Sequence, residues 1–247
     1  MIDAVVFDLD GVLLDSEQVW DRSRREVAEA HGGRWPEEAT SAMQGMSSIE
    51  WAGYMRKEVG VDLPEPDIID AVLEELFAHY DRDLPLLPGA IEAVARMKGR
   101  WPLGLASSSN RVVIERVLDA ADLRGAFRAV VSSEEVPRGK PSPDVYLEVA
   151  VRLGCPPRHL VAVEDSANGI RSAAAAGLTV VAVPNREYPP PDAVLEMAAV
   201  VLESLHDLRV DALEELDRAA TESRLDEEEV ESFPASDPHA DWAGPPD

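Results

Sequence analysis

Short apolar runs alternate with helical patterns at the beginning of the chain and again from about residue 88 onward. Continuous apolar runs of this length are typical of strands that are buried on both faces of a parallel sheet. They predict strands at residues 4–7, 103–106, 129–132, 160–163 and 179–183, and helices at residues 89–97, 111–121, 143–153 and 168–176. The predicted fold class is therefore α/β, with a doubly wound parallel sheet.

A different pattern occupies residues 16–84, where helix-period repeats occur without a convincing strand. These repeats cover residues 19–31, 49–59 and 68–80. We predict that residues 16–84 form a small inserted α-helical cap on a core of residues 1–15 and 85–216. An insertion at this point lies over the carboxyl ends of the strands, where open parallel sheets bind ligands. Residues 217–247 are acidic and poor in apolar residues, which predicts a disordered tail.

Composition narrows the range of partners. The 247 residues carry a formal net charge of −25, which opposes binding to nucleic acid because that contact needs clustered Lys and Arg. Cys155 is the only cysteine, which excludes an intramolecular disulfide and fits a reducing compartment. No apolar segment approaches the ~20 residues that span a bilayer. We expect a cytoplasmic protein that binds neither nucleic acid nor membrane and is a monomer or weak dimer.

Carboxylates follow two of the predicted strands. Asp8 and Asp10 come after the first strand and precede Gly11, and the two-residue period of a strand predicts that their side chains point the same way. Like charges this close favour a bound cation, and oxygen ligands suit Mg²⁺. Glu164 and Asp165 follow a later strand and can complete such a site, although an aspartate at this place also serves as a helix cap.

An acidic protein that binds a phosphate needs local positive charge at the site. Ser107 and Ser108 precede a predicted helix, whose free N–H groups and hydroxyls can hold an anion, although serine is also a common helix cap. Lys140 lies in a rigid Gly-Lys-Pro turn and is one of only three lysines. A positioned ammonium here can neutralise both an aspartate and a bound phosphate.

These motifs resemble those of a known family. The segment Asp8-Leu9-Asp10-Gly11-Val12, then Ser107, Lys140-Pro141 and Glu164-Asp165, is similar in order and spacing to the four motifs of the haloacid dehalogenase (HAD) superfamily. The similarity covers residues 1–210. The helical insertion resembles the cap of the subgroup that contains sugar phosphatases and β-phosphoglucomutase.

The resemblance implies a HAD-like Rossmannoid core and a phosphoric monoester hydrolase that uses Mg²⁺. It implies that Asp8 attacks phosphorus to form an aspartyl-phosphate, while Asp10 protonates the leaving oxygen and then activates water. Ser107 and Lys140 would hold the phosphoryl oxygens of a small-molecule phosphate ester. The implied metal ligands are Asp8, the backbone carbonyl of Asp10, Asp165 and, directly or through water, Glu164.

Three interpretations of the function remain open. The favoured one is a Mg²⁺-dependent phosphatase of a small phosphorylated metabolite, such as a sugar or polyol phosphate. A phosphomutase similar to β-phosphoglucomutase is the second, although Trp20 and Ser48 stand where that enzyme has a histidine and a phosphate-binding arginine. A catalytically silent binding module is the third. The candidates for contacting the leaving group are Trp20, Gln44, Met46, Ser47 and Trp51, of which Trp20 and Trp51 equally fit the core of the cap.

Overall fold

A six-stranded parallel sheet forms the centre of the protein. The computed structural model describes residues 1–43, 46–185, 189–219 and 222, so most of the predicted tail, residues 217–247, and the candidate Gln44 lie outside the described residues. The strands are β1 (Ala4–Phe7), β2 (Leu103–Ser107), β3 (Phe127–Ser132), β4 (Leu160–Glu164), β5 (Thr179–Ala182) and β6 (Val200–Val201). Their order in the sheet is β3-β2-β1-β4-β5-β6, and all neighbouring strands are parallel.

Helices cover both faces of the sheet. Alternate residues of β1 enter two separate hydrophobic clusters, with Val5 and Phe7 in one and Ala4 and Val6 in the other. Because successive side chains of a strand point to opposite faces, each cluster lies on one face of the sheet. This confirms the doubly wound α/β fold. The helices of this part of the chain are α5 (Ala90–Lys98), α6 (Arg111–Ala120), α7 (Asp144–Leu153), α8 (Ala167–Ala175) and α9 (Asp192–Leu195), and residues 210–219 are also helical.

The regular elements in the described part of the insertion after β1 are all helices, joined by short loops. Its helices are α1 (Glu17–Ala30), α2 (Ala39–Met43), α3 (Ser48–Tyr54), which continues into a π-helix (Met55–Val59), and α4 (Glu65–Arg82). Along α1 the buried residues are Trp20, Ser23, Arg24, Val27 and Ala28, the spacing of one helix face. This face includes a charged residue, Arg24. The cap boundaries at residues 16 and 84 stay a prediction.

The two segments that connect the insertion to the core run side by side. The backbone N–H of Asp15 donates to the carbonyl of Pro85 at 2.8 Å, and the N–H of Leu87 donates to the carbonyl of Leu13 at 2.9 Å. Leu14 and Leu86 form an antiparallel bridge between these hydrogen bonds. The chain therefore enters and leaves the insertion at one place. The described part of the chain has no helix that is long and apolar enough to cross a membrane.

Candidate active site

The carboxyl ends of the three central strands hold the predicted site residues. Asp8 directly follows β1, Ser107 is the last residue of β2, and Glu164 is the last residue of β4. Because β2, β1 and β4 are neighbours and parallel, these ends meet at one edge of the sheet. Lys140 reaches the same place from the loop that precedes α7.

Lys140 occupies the centre of the site. Its Nζ donates to Asp8 Oδ1 at 2.7 Å, to Glu164 Oε1 at 2.6 Å and to the backbone carbonyl of Ala106 at 3.0 Å. The side chain is only 4% exposed. Burial alone lowers the pKa of Lys140, but the carboxylates of Asp8 and Glu164 outweigh it, so the net pKa is raised. The ammonium is therefore charged at neutral pH.

Glu164 is held from a second side by Tyr146, which sequence reasoning missed. The Tyr146 hydroxyl donates to Glu164 Oε1 at 2.5 Å, and its ring lies 5.2 Å from Lys140 Nζ. Burial, followed by the charge of Glu164, raises the pKa of Tyr146 well above its ordinary value, so the phenol stays a neutral donor. A Cβ at Gly169 would lie 1.9 Å from Glu164 Oε2. Glycine at this position therefore allows α8 to pack against the buried carboxylate.

Three buried carboxylates lie around a single ammonium. Asp8, Glu164 and Asp165 each offer an oxygen, and these oxygens all lie within 4.8 Å of one another. Burial raises the pKa of Asp8 from 3.8 to about 8, with the charges of Glu164 and Asp10 adding to it and Lys140 opposing it. Burial and the charges of Asp8 and Glu164 raise the pKa of Asp165 well above its ordinary value. The site therefore has an excess of negative charge.

The same cluster fits a divalent cation. Asp165 Oδ1 is buried and has no hydrogen-bond partner, and an unsatisfied buried carboxylate oxygen is unfavourable unless another group contacts it. The donor atoms are all oxygens, as Mg²⁺ prefers. Gly11 has a positive φ of +80°, and a Cβ there would lie 1.9 Å from Asp165 Oδ2. A side chain at this position would therefore displace Asp165.

Asp10 differs from the prediction in the part of the chain that carries it. We expected Asp8 and Asp10 to point the same way along one strand, but β1 ends at Phe7, before both residues. The Asp10 carboxylate accepts hydrogen bonds from Ser16 Oγ at 2.6 Å and Ser109 Oγ at 2.7 Å. Asp10 is therefore held by hydroxyls, and its carboxylate lies outside the group of three oxygens formed by Asp8, Glu164 and Asp165.

A cavity of about 290 Å³ opens over these groups, and Asp8, Asp10, Lys140 and Ser108 are among its lining residues. Ser107 is fully buried, and its hydroxyl accepts from the N–H of Ser109 at 2.9 Å and contacts Asp10 Oδ2 at 3.3 Å. Lys140 and Ser108 thus line a space in which a phosphoryl group can lie beside Asp8.

A smaller adjoining cavity, of about 100 Å³, lies between the core and the cap helices. Of the residues expected to contact a leaving group, Met46 lines this cavity. Ser47 instead caps α3, because both its N–H and its hydroxyl donate to Glu50 Oε2 at 2.7 Å. Trp20 and Trp51 also line the cavity, but they are only 7% and 2% exposed and pack against each other at a centroid distance of 6.3 Å. They belong mainly to the core of the cap.

The raised pKa of Asp8 predicts how stability changes with pH in the absence of divalent cations. Between its ordinary pKa of 3.8 and its folded pKa of about 8, the folded state holds a proton that the unfolded state has released. We therefore expect the free energy of unfolding in EDTA to fall as pH rises from about 4 and to level off above about pH 8. Chemical denaturation across this range measures it. Asp8→Asn should show a smaller slope, and equal slopes in the two proteins would contradict the assignment.

Comparison with known proteins identifies the class. The family model of the haloacid dehalogenase-like hydrolases matches residues 2–177, so the chain belongs to this family. Within the family it is a phosphoric monoester hydrolase of the sugar-phosphatase and β-phosphoglucomutase-like subgroup.

Three relatives support this placement. Hexitol phosphatase B of Escherichia coli strain K12 is 36% identical over 217 residues, which cover 83% of this chain and 93% of the relative. The phosphorylated carbohydrates phosphatase of Thermotoga maritima is 32% identical over 203 residues, covering 81% and 94%. The structure of CbbY from Rhodobacter sphaeroides in complex with phosphate aligns with a TM-score of 0.74 at 29% identity, covering 84% of this chain and 96% of that one.

Proposed function

We propose that this phosphatase hydrolyses the phosphate monoester of a sugar or sugar alcohol, in the cytoplasm, through an aspartyl-phosphate on Asp8. The observation that carries the proposal is the position of Asp8. It is hydrogen-bonded to the buried ammonium of Lys140 and grouped with Glu164 and Asp165, and it lines the same cavity as Asp10. Two relatives whose names describe phosphatases of hexitols and of phosphorylated carbohydrates support the class of leaving group.

In the first half-reaction, Lys140, Ser107 and Ser108 bind oxygens of the phosphoryl group. An Asp8 oxygen attacks phosphorus and forms an acyl phosphate, while the bond between phosphorus and the ester oxygen breaks. Asp10, in its protonated form, donates its proton to that leaving oxygen. The alcohol leaves, and Asp10 remains as a carboxylate that accepts from Ser16 and Ser109.

In the second half-reaction the Asp10 carboxylate takes a proton from water as the water oxygen attacks phosphorus. The bond between phosphorus and Asp8 breaks, inorganic phosphate leaves, and both aspartates return to their starting states. Asp8, the backbone carbonyl of Asp10 and Asp165 would hold Mg²⁺, with Glu164 contributing. The ion, when bound, supplies positive charge that favours ionised Asp8 and offsets the charge of the phosphoryl group.

The test is phosphate release from a panel of hexose, hexitol, pentose and triose phosphates, each measured with Mg²⁺ and with EDTA. We expect Mg²⁺-dependent release that is fastest for one or a few sugar or sugar-alcohol phosphates. Release that is unaffected by EDTA would contradict the role of the ion. Conversion of β-glucose 1-phosphate to glucose 6-phosphate in the presence of glucose 1,6-bisphosphate, without net release of phosphate, would replace the phosphatase with a mutase.

A further inference from the structure

Arg24 of α1 is a buried charge with an unsatisfied donor. The residue is only 9% exposed, and its Nε is buried without a hydrogen-bond partner. The guanidinium carbon lies 5.1 Å from the Trp20 ring centroid and 5.2 Å from that of Trp51. Contacts with aromatic rings stabilise the charge and fix the plane of the group, but they do not satisfy the N–H. A buried N–H donor of this kind normally has a partner.

Two carboxylates of α1 lie near Arg24, and one of them faces the cavity that a ligand can enter. Asp21 is already hydrogen-bonded to Arg25 Nε at 2.7 Å and to Thr40 Oγ1 at 2.5 Å. Glu17 lines the same cavity as Arg24. Burial, followed by the charge of Asp10, raises the pKa of Glu17, while Arg24 opposes the rise. An acceptor and a donor of hydrogen bonds therefore face one cavity from the same helix.

The position of this cavity indicates what enters it. Asp10 lines both the larger cavity, which opens over Asp8 and Lys140, and the smaller cavity, which is also lined by Arg24 and Glu17. In the proposed reaction Asp10 protonates the leaving oxygen, so the rest of the leaving group extends into the smaller cavity. A hydroxyl both donates and accepts hydrogen bonds, and adjacent hydroxyls match Glu17 and Arg24 together. A second anionic group would lie near the two carboxylates of Asp10 and Glu17.

We propose that Arg24 is a specificity-determining residue, whose guanidinium donates a hydrogen bond to a hydroxyl of an uncharged polyhydroxylated leaving group. This assignment rests on the proposed function and adds a contact to it. Trp20 and Trp51 hold the guanidinium plane in place. Glu17 accepts from a neighbouring hydroxyl of the same leaving group.

The experiment compares two substrates in Arg24→Met. Sorbitol 6-phosphate has hydroxyls that reach the cavity, whereas the leaving group of acetyl phosphate has none. We expect kcat/KM for sorbitol 6-phosphate to fall about 10- to 100-fold, mainly through KM, which is the effect of losing one hydrogen bond from a charged donor. For acetyl phosphate kcat/KM should change by less than about twofold, because its leaving group does not reach Arg24.

Arg25→Met is the matched control, because it removes the same charge from the next residue of α1. Arg25 pairs with Asp21 and lies 4.9 Å from the Trp35 ring centroid, away from the cavity residues. Its two kcat/KM values should stay close to those of the native chain. Arg24→Lys keeps the charge without the planar guanidinium, and it should lose most of the same preference for sorbitol 6-phosphate.

Equal losses for both substrates in Arg24→Met, together with a lowered unfolding midpoint, would show that Arg24 only stabilises the cap. Unchanged kinetics for both substrates would also overturn the assignment. Neither result affects the proposed function, because native hydrolysis of acetyl phosphate tests the groups that transfer the phosphoryl group without a leaving group that reaches Arg24. Failure of the native chain to release phosphate from either substrate would instead contradict the proposed function.

Discussion

Replacing Asp8 with asparagine is expected to abolish phosphate release while leaving the protein folded. An amide oxygen is a poor nucleophile, so the rate should fall by more than about 10⁴-fold, the scale of removing a covalent nucleophile. Stability near neutral pH without divalent cations should be unchanged or higher, since burial and neighbouring carboxylates raise the pKa of Asp8 to about 8, and an uncharged amide then replaces a carboxyl that is already mostly protonated. Phosphate release and a denaturation curve, measured on the same preparation, check both expectations.

Asp70→Asn is the control for this experiment, because it makes the same chemical change at an exposed position of α4. It should leave both activity and stability close to those of the native chain. Residual Mg²⁺-dependent activity in Asp8→Asn above about 1% of the native rate would contradict the covalent role of Asp8. A large loss of stability would contradict the raised pKa.

Replacing Lys140 with methionine should damage both catalysis and stability. Methionine has a similar length but no charge, so it leaves the buried carboxylates of Asp8 and Glu164 without their common ammonium. Removal of one partner from a buried ion pair typically lowers the free energy of unfolding by about 3 to 5 kcal/mol. The loss of a cation that binds the phosphoryl group should lower kcat/KM by about 10³-fold. Urea denaturation and steady-state kinetics measure the two effects.

Lys98→Met makes the same change at an exposed lysine whose Nζ donates to the carbonyl of Gly125 at 3.0 Å. It should alter neither quantity substantially. A fall of less than tenfold in the kcat/KM of Lys140→Met would contradict the phosphate-binding role. Together, Asp8→Asn and Lys140→Met address the two sides of one ion pair, and the expected changes in stability differ because negative charge is in excess at this site.

Much of the sheet and the position of the site could be predicted from the sequence. Strands β1 to β5 follow the predicted apolar runs, with ends that differ by one or two residues. The continuous apolar character of a doubly buried strand is a local signal, so it is visible without the fold. Strand β6 was missed because two residues, Val200–Val201, are too few to show a period. The short helices α2 and α9 were missed for the same reason.

Other parts of the site depend on contacts that a sequence pattern does not contain. Asp10 turns toward Ser16 and Ser109 because β1 ends three residues before it, and no period describes that turn. Tyr146 lies on the buried face of α7 and looks like an ordinary core residue until Glu164 is placed beside its hydroxyl. Arg24 offered one signal, namely a charged residue four positions after Trp20 on the face that α1 buries.

The two paired connectors, Leu13–Asp15 and Pro85–Leu87, have a consequence for how the cap can change in evolution while the core is kept. The backbones of the two connectors are hydrogen-bonded to each other. The 70-residue excursion from Asp15 to Leu84 is therefore attached to the sheet in the way that a long hairpin loop is attached, with its two ends held together. Loop-closure entropy grows only slowly with loop length. A change in the length of this excursion therefore adds little to the entropic cost of folding the core. The residues that select a leaving group can change from one descendant to another while the phosphate chemistry stays the same.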